Sequence, residues 1–269
     1  MIRYAILAPT DQDGLAALGS AGFDGVSADA GQQWPETGAL PLAAGLHGLS
    51  LCARSLAEEK AALQPTLDRL AAMGTQLCAV AETSNASFAD DSAPLANSPV
   101  LDEADWPRYG ADLEALSEFA ARQGITLAYQ HRVGTIVETP GEIEKLAQAT
   151  GPATRLLFDT GQCYFGGGNP AQVLGSLMGR VAHIHIRNLR TMVMGMGMAE
   201  GISYPEALRR GVFTQPGDFE GGVELEPVLS IAAVHGYDGW LVLGGEASPT
   251  DGLAALKRAV RAVGLDDPR

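Results

Sequence analysis

The stretch from Arg155 to Asn188 limits the possible folds more than any other. An apolar run, Leu156-Leu157-Phe158, stops on Asp159 and gives way to a loop by composition, Cys163 to Pro170. A short helical pattern covers Ala171 to Met178. A second apolar run, Val181 to Ile186, carries His183 and His185 and leads into Arg187-Asn188. A buried strand ending on a carboxylate, a helix, then a buried strand ending on an imidazole make one βαβ unit. In a parallel barrel such strand ends open into a shared mouth, where polar groups read as chemistry. Asp159 and His185 are both ligand types for a divalent metal.

The same alternation runs along the whole chain. Strand-like runs are expected at Ile2 to Ala8, Phe23 to Ala28, Leu46 to Ala53, Gln76 to Ala81, Ile125 to Tyr129 and Trp240 to Leu243, besides the two above. Helical patterns fill Asp13 to Ser20, Leu56 to Met73, Asp105 to Gln123, Glu226 to His235 and Leu253 to Val263. Thr139-Pro140-Gly141-Glu142 has the form of a capping box opening another helix. Eight strands, each with a helix, predict an α/β fold: a single (β/α)8 TIM barrel over residues 1–269. A doubly wound open sheet is the alternative, but no Gly-rich dinucleotide loop follows the first strand. Two long segments, Ala86 to Glu103 and Leu189 to Val223, are expected as functional loops.

Composition excludes several classes of function. A net charge of -14 opposes binding to nucleic acid. No apolar stretch reaches the length of a membrane span, and the N-terminus reads as a first strand rather than a signal peptide. Three cysteines make no disulfide framework, which favours a cytoplasmic setting. The partner expected is a small polyol or keto-sugar substrate, and a homo-oligomer is compatible with the sequence.

On a barrel, the carboxyl ends of the strands gather Glu82, Gln130, His131, Arg132, Asp159, Gln162, His183, His185, Arg187 and Glu246. Each also has a plainer reading as a cap or a solvated turn. His183 and His185 are two apart and face the same side of the sheet. One can bind a metal while the other supports it by hydrogen bonding. Glu82, after Val80-Ala81, is expected in the mouth. Arg132 and Arg187 suit an oxygen-rich substrate. The run Met192 to Met198 is expected to pack rather than to act as a lid.

A family resemblance enters here. Its pieces are Gly134-Thr135-Ile136-Val137-Glu138-Thr139, Phe158-Asp159-Thr160-Gly161, Gly166-Gly167-Gly168-Asn169-Pro170, Arg180 to His185, Gly211 to Asp218 and Tyr237 to Val242. In this order they resemble inosose dehydratases (2-keto-myo-inositol dehydratases) of the xylose-isomerase-like barrel superfamily. Gly211-Val212-Phe213-Thr214-Gln215-Pro216-Gly217-Asp218 is the most specific element. The resemblance implies a metal-assisted lyase of inositol catabolism that removes water from a keto-inositol, with manganese or cobalt as cofactor. On it, Asp159, His185, Gln130 and Glu246 are the expected metal ligands. Glu82, His131, Arg132, Gln162, His183 and Arg187 are the expected catalytic group. The mouth departs from the pattern: Gln130 stands where the family has Glu or His, Arg132 and Gln162 each stand where it has His, Arg187 replaces a lysine, and Gly244 stands where the superfamily has a glutamate. A sugar isomerase or epimerase, or a metal-free carbohydrate-binding paralogue, are the competing readings.

Overall fold

The computed structural model describes residues 1–7, 12–29, 40–244 and 248–266. Its strands are β1 (Arg3–Leu7), β2 (Gly25–Asp29), β3 (Leu42–Leu49), β4 (Leu77–Glu82), β5 (Thr126–Gln130), β6 (Arg155–Asp159), β7 (Val181–Ile186), β8 (Asn188–Leu189), β9 (Phe213–Thr214) and β10 (Trp240–Leu243). Its helices are α1 (Gln12–Ala21), α2 (Leu56–Ala72), α3 (Trp106–Ala121), α4 (Pro140–Ala149), α5 (Thr160–Phe165), α6 (Pro170–Leu177), α7 (Thr191–Glu200), α8 (Tyr204–Arg209), α9 (Leu225–Val234) and α10 (Pro249–Ala262). Eight parallel strands close into a barrel in the order β1-β10-β7-β6-β5-β4-β3-β2. The expected barrel is therefore what the chain builds.

Strand alternation sorts the core into two shells. Ile6, Val26, Cys78, Val80, Leu127, Tyr129, Leu156, Phe158, Ile184, Ile186, Leu241 and Leu243 face outward and join the helices in the main core. Inward residues are mostly small: Ala5, Ala43 and Val242 on one side, Ala79, Ala128 and Leu157 on the other. Trp240 plugs the amino-terminal end of the barrel, with the Arg3 guanidinium 4.1 Å from its ring centroid. Gly25 makes room for that ring, since a Cβ there would stand 2.8 Å from both the indole and the Pro41 carbonyl. The carboxyl end is the polar one, and it carries the site.

Caps fix the helices to this frame. Ser55 with Glu58, and Thr139 with Glu142, form capping boxes on α2 and α4. Each cap contributes about 1 kcal/mol.

Three expectations need correction. β3 is Leu42–Leu49, not Leu46 to Ala53, because Ser50 turns the chain: its carbonyl accepts from the amides of Ala53 and Arg54 at 3.0 and 2.8 Å. Pairing to β2 and β4 overrides the weak strand preference of Ala43 and Ala44. The expected loop at Cys163 is helix α5, capped by Asp159 itself. The Leu189 to Val223 segment holds α7, α8 and an antiparallel β8–β9 pair.

Candidate functional site

Asp159 and His185 occupy matching positions at the ends of β6 and β7. Both are buried. Asp159 Oδ1 accepts from the Gln162 amide at 3.0 Å, which starts α5. Asp159 Oδ2 lies 3.7 Å from His185 Nδ1 and 3.8 Å from Arg187 Nε. Neither Oδ2 nor either His185 ring nitrogen has a hydrogen-bond partner. Burial alone would raise the Asp159 carboxyl, but the Arg187 charge first, then the adjoining His185 ring and the Gln162 amide, hold it well below the carboxylate range. Burial lowers the His185 pKa and Asp159 opposes it, leaving a neutral imidazole at neutral pH. Thr160 locks the two strand ends together, since its hydroxyl donates to the Arg187 carbonyl and accepts from the Arg187 amide. Gly161 is needed beside it, because a Cβ would stand 3.0 Å from Arg187 and Phe213.

Two other histidines lie against this pair. His131 Nε2 accepts from the Asp159 amide at 3.2 Å, so the ring proton belongs on Nδ1. The His131 ring also packs on Phe158, and burial pulls its pKa down to about 4. His183 lies one inward position below His185, ring centroids 5.3 Å apart, and burial keeps it neutral. Gln162 is fully engaged: Oε1 accepts from the Val133 amide and Nε2 donates to Tyr204 Oη at 2.8 Å.

Two motifs build the cover. Gly134 to Thr139 forms a tight loop in which the Arg132 amide donates to the Val137 carbonyl and Thr135 Oγ1 donates to the Arg132 carbonyl. Gly134, at φ 77°, lies against the Phe88 backbone, and its carbonyl accepts from Ser87. Phe88 is thereby set over Arg132, with 3.9 Å between the guanidinium carbon and the ring centroid. In the Gly211 to Asp218 motif, Asp218 Oδ2 accepts from Thr214 Oγ1 and from Arg190 Nη2 at 2.9 Å. That clamp places Phe213 against Arg187, Phe165 and Tyr204. The two long segments meet where Leu95 donates to the Ile202 carbonyl.

Not every expected residue reaches the mouth. Glu82 shares the outward phase of Cys78 and Val80, and its carboxylate is spent locally. Oε2 accepts from the Cys52 amide, and Oε1 accepts from the Ser84 amide and hydroxyl. Glu82 is thus a turn anchor outside the barrel interior, because strand phase decides direction and β4 continues one residue beyond Ala81. Gln130 follows Ala128 on the inward phase and is partly exposed. Glu246 lies outside the described residues.

A divalent metal does not fit the donors that can be placed. Among the described residues no three His, Cys, Asp or Glu side chains are arranged so as to hold a metal ion. Asp159 and His185 supply two donors, and Gln130 offers a neutral amide. The Asp159 oxygen a cation would take is already flanked by the Arg187 guanidinium.

Sequence reading missed Tyr204 and Phe88, which sit in segments read only as loops. Tyr204 had one signal: Ser203-Tyr204-Pro205-Glu206 is a helix start, and Ser203 Oγ accepts from the Glu206 amide.

Fold and mouth define a parallel (β/α)8 barrel with a carboxylate–imidazole pair and two guanidiniums at the carboxyl ends of its strands. A family model described as xylose isomerase-like TIM barrel matches residues 15–263, and the chain belongs to that family. The rhizopine catabolism protein MocC of Rhizobium meliloti is 33% identical over 245 residues, 87% of this chain and 74% of that protein. The inosose dehydratase of Geobacillus thermodenitrificans is 32% identical over 247 residues, 87% of this chain and 82% of that protein. Among solved structures, the IOLI protein with a bound zinc atom superposes with a TM-score of 0.69 at 13% identity, covering 97% of each chain.

Proposed function

We propose that this chain is a lyase that removes water from a keto-inositol or a related polyol ketone through an enediolate. The observation that carries the reading is the Asp159–His185 pair with Arg187 beside it, in a chain about one third identical to proteins named inosose dehydratase. In this reading His185, neutral and oriented by Asp159, takes the proton from the carbon next to the ketone. The C–H electrons move toward the carbonyl, and negative charge gathers on its oxygen. The Arg187 guanidinium faces that charge in a site shut off from water, where fixed charges act strongly. The enediolate then expels the hydroxyl on the next carbon, which takes the proton back from the His185 imidazolium and leaves as water, giving a C=C bond. His131 and Gln162 act as positioning residues, one on the Asp159 amide and the other between Val133 and Tyr204.

The aromatic cover of Phe88, Tyr204 and Phe213 is read as the water-excluding lid. Asp159 and His185 are buried beneath it, so substrate entry requires the cover to shift. Free Cys52, Cys78 and Cys163 support a reducing, cytoplasmic setting. No helix among the described residues is long and apolar enough to cross a membrane. The test is proton NMR of purified protein with 2-keto-myo-inositol in D2O. Water loss removes a carbinol signal, whereas epimerisation exchanges one while keeping the carbon count of hydroxyls.

A further inference from the structure

The mouth holds two guanidiniums with different surroundings. Arg187 stands against the Asp159 carboxylate, which balances its charge. Arg132 has no carboxylate against it among the described residues, and its Nε is buried without a hydrogen-bond partner. Its flat face is held instead by aromatic rings, Phe88 at 3.9 Å and Tyr204 at 5.9 Å from the guanidinium carbon. Glu138, the nearest carboxylate along its own loop, is turned away: it accepts from the Gly134 amide and the Ser98 hydroxyl. The backbone on both sides of Arg132 is pinned by Val137 and Thr135. A partly buried, preorganised guanidinium with no carboxylate against it among the described residues suits a planar or tetrahedral oxyanion, which it can grip through two parallel N–H bonds.

We propose that Arg132 is a specificity-determining residue and that the polyol ketone accepted by this mouth carries an anionic group, a carboxylate or a phosphate. This deepens the dehydratase reading and rests on it for the ketone part of the substrate. Tyr204 links the two halves of the site: its ring lies under Arg132 and its hydroxyl accepts from Gln162, the residue whose amide caps against Asp159. The anion end and the reacting carbon thus fall on either side of Tyr204.

The experiment is isothermal titration of three ketoses that share one skeleton and differ at a terminal group: D-fructose, 2-keto-D-gluconate and D-fructose 1-phosphate. One anion should bind roughly tenfold or more tightly than D-fructose, the gain expected of one charge-assisted contact. Whichever anion wins names the group. Arg132→Gln should abolish the preference and Arg132→Lys should keep part of it. If neither anion outbinds D-fructose, the proposal is overturned. It is equally overturned if Arg132→Gln lowers the melting temperature yet keeps the preference, because Arg132 is then only a clamp on Phe88. Should Arg132→Gln fail to fold, added salt must weaken the wild-type anion complex and spare the D-fructose complex. Water loss from 2-keto-myo-inositol is followed on the same preparation. Turnover there without an anion preference removes this proposal alone; an anion preference without any water loss removes only the dehydratase reading.

Discussion

Asp159 and His185 are register partners on adjacent parallel strands, and the carboxylate Oδ2 of one lies 3.7 Å from Nδ1 of the other. Asp159 has two jobs at once. One oxygen starts a helix and the other faces the imidazole and Arg187.

The two jobs separate by substitution. Asp159→Asn keeps an oxygen for the Gln162 amide, so it should retain the cap, while Asp159→Ala should cost about 1 kcal/mol more in urea denaturation. Both should lower kcat for water loss by roughly a hundredfold or more, the scale of a lost general base system. Equal stability of the two variants would dismiss the capping role.

Glu82→Gln tests the turn anchor. Its carboxylate serves one hydroxyl and two amides outside the barrel interior. The expected result is a loss of about 1–3 kcal/mol in stability, as for any buried charged acceptor replaced. The kcat of the folded protein for water loss should stay within about threefold of wild type, a change under about 1 kcal/mol in barrier. A large fall in kcat with little change in stability would return Glu82 to the chemistry.

Tyr204→Phe removes the acceptor for Gln162 Nε2 and leaves a buried amide donor unmet. A cost of about 1–3 kcal/mol follows, and KM should rise more than kcat falls, since Tyr204 covers the site without reacting. Thermal unfolding and steady-state kinetics measure both.

The metal expectation has its own test. Wild-type protein should purify without stoichiometric manganese or cobalt, and neither ion should raise its melting temperature. Gln130→Glu with Gly244→Glu adds two carboxylates on inward-facing positions of β5 and just after β10, beside Asp159 and His185. Titration should then show manganese binding that the wild type lacks. Stoichiometric metal in the wild type would overturn the donor argument and restore Asp159 and His185 as ligands.

Most of the frame was legible because barrel strands buried on both faces leave continuous apolar runs, and those runs end at the inward-facing polar residues Gln130, Asp159 and His185. Directions and partners were less legible. Glu82 follows Ala81 as Asp159 follows Phe158, yet one strand runs a residue longer and turns its carboxylate outward. The start of β3 was hidden because Ala43 and Ala44 carry little strand preference of their own and are fixed by their neighbours. Phe88 and Tyr204 come to the site from loops whose approach depends on long-range contacts, such as Leu95 with Ile202. No local pattern encodes such a contact.

The most direct test of the central claim is whether the Asp159–His185 pair eliminates water beside a ketone. Purified protein, treated with a chelator, is incubated with 2-keto-myo-inositol and with 2-keto-D-gluconate, and the conjugated product is followed by ultraviolet absorbance and NMR. The account predicts water loss from at least one of them, undiminished by the chelator and lost in His185→Gln. No water loss from either, or turnover that survives in His185→Gln, would contradict it.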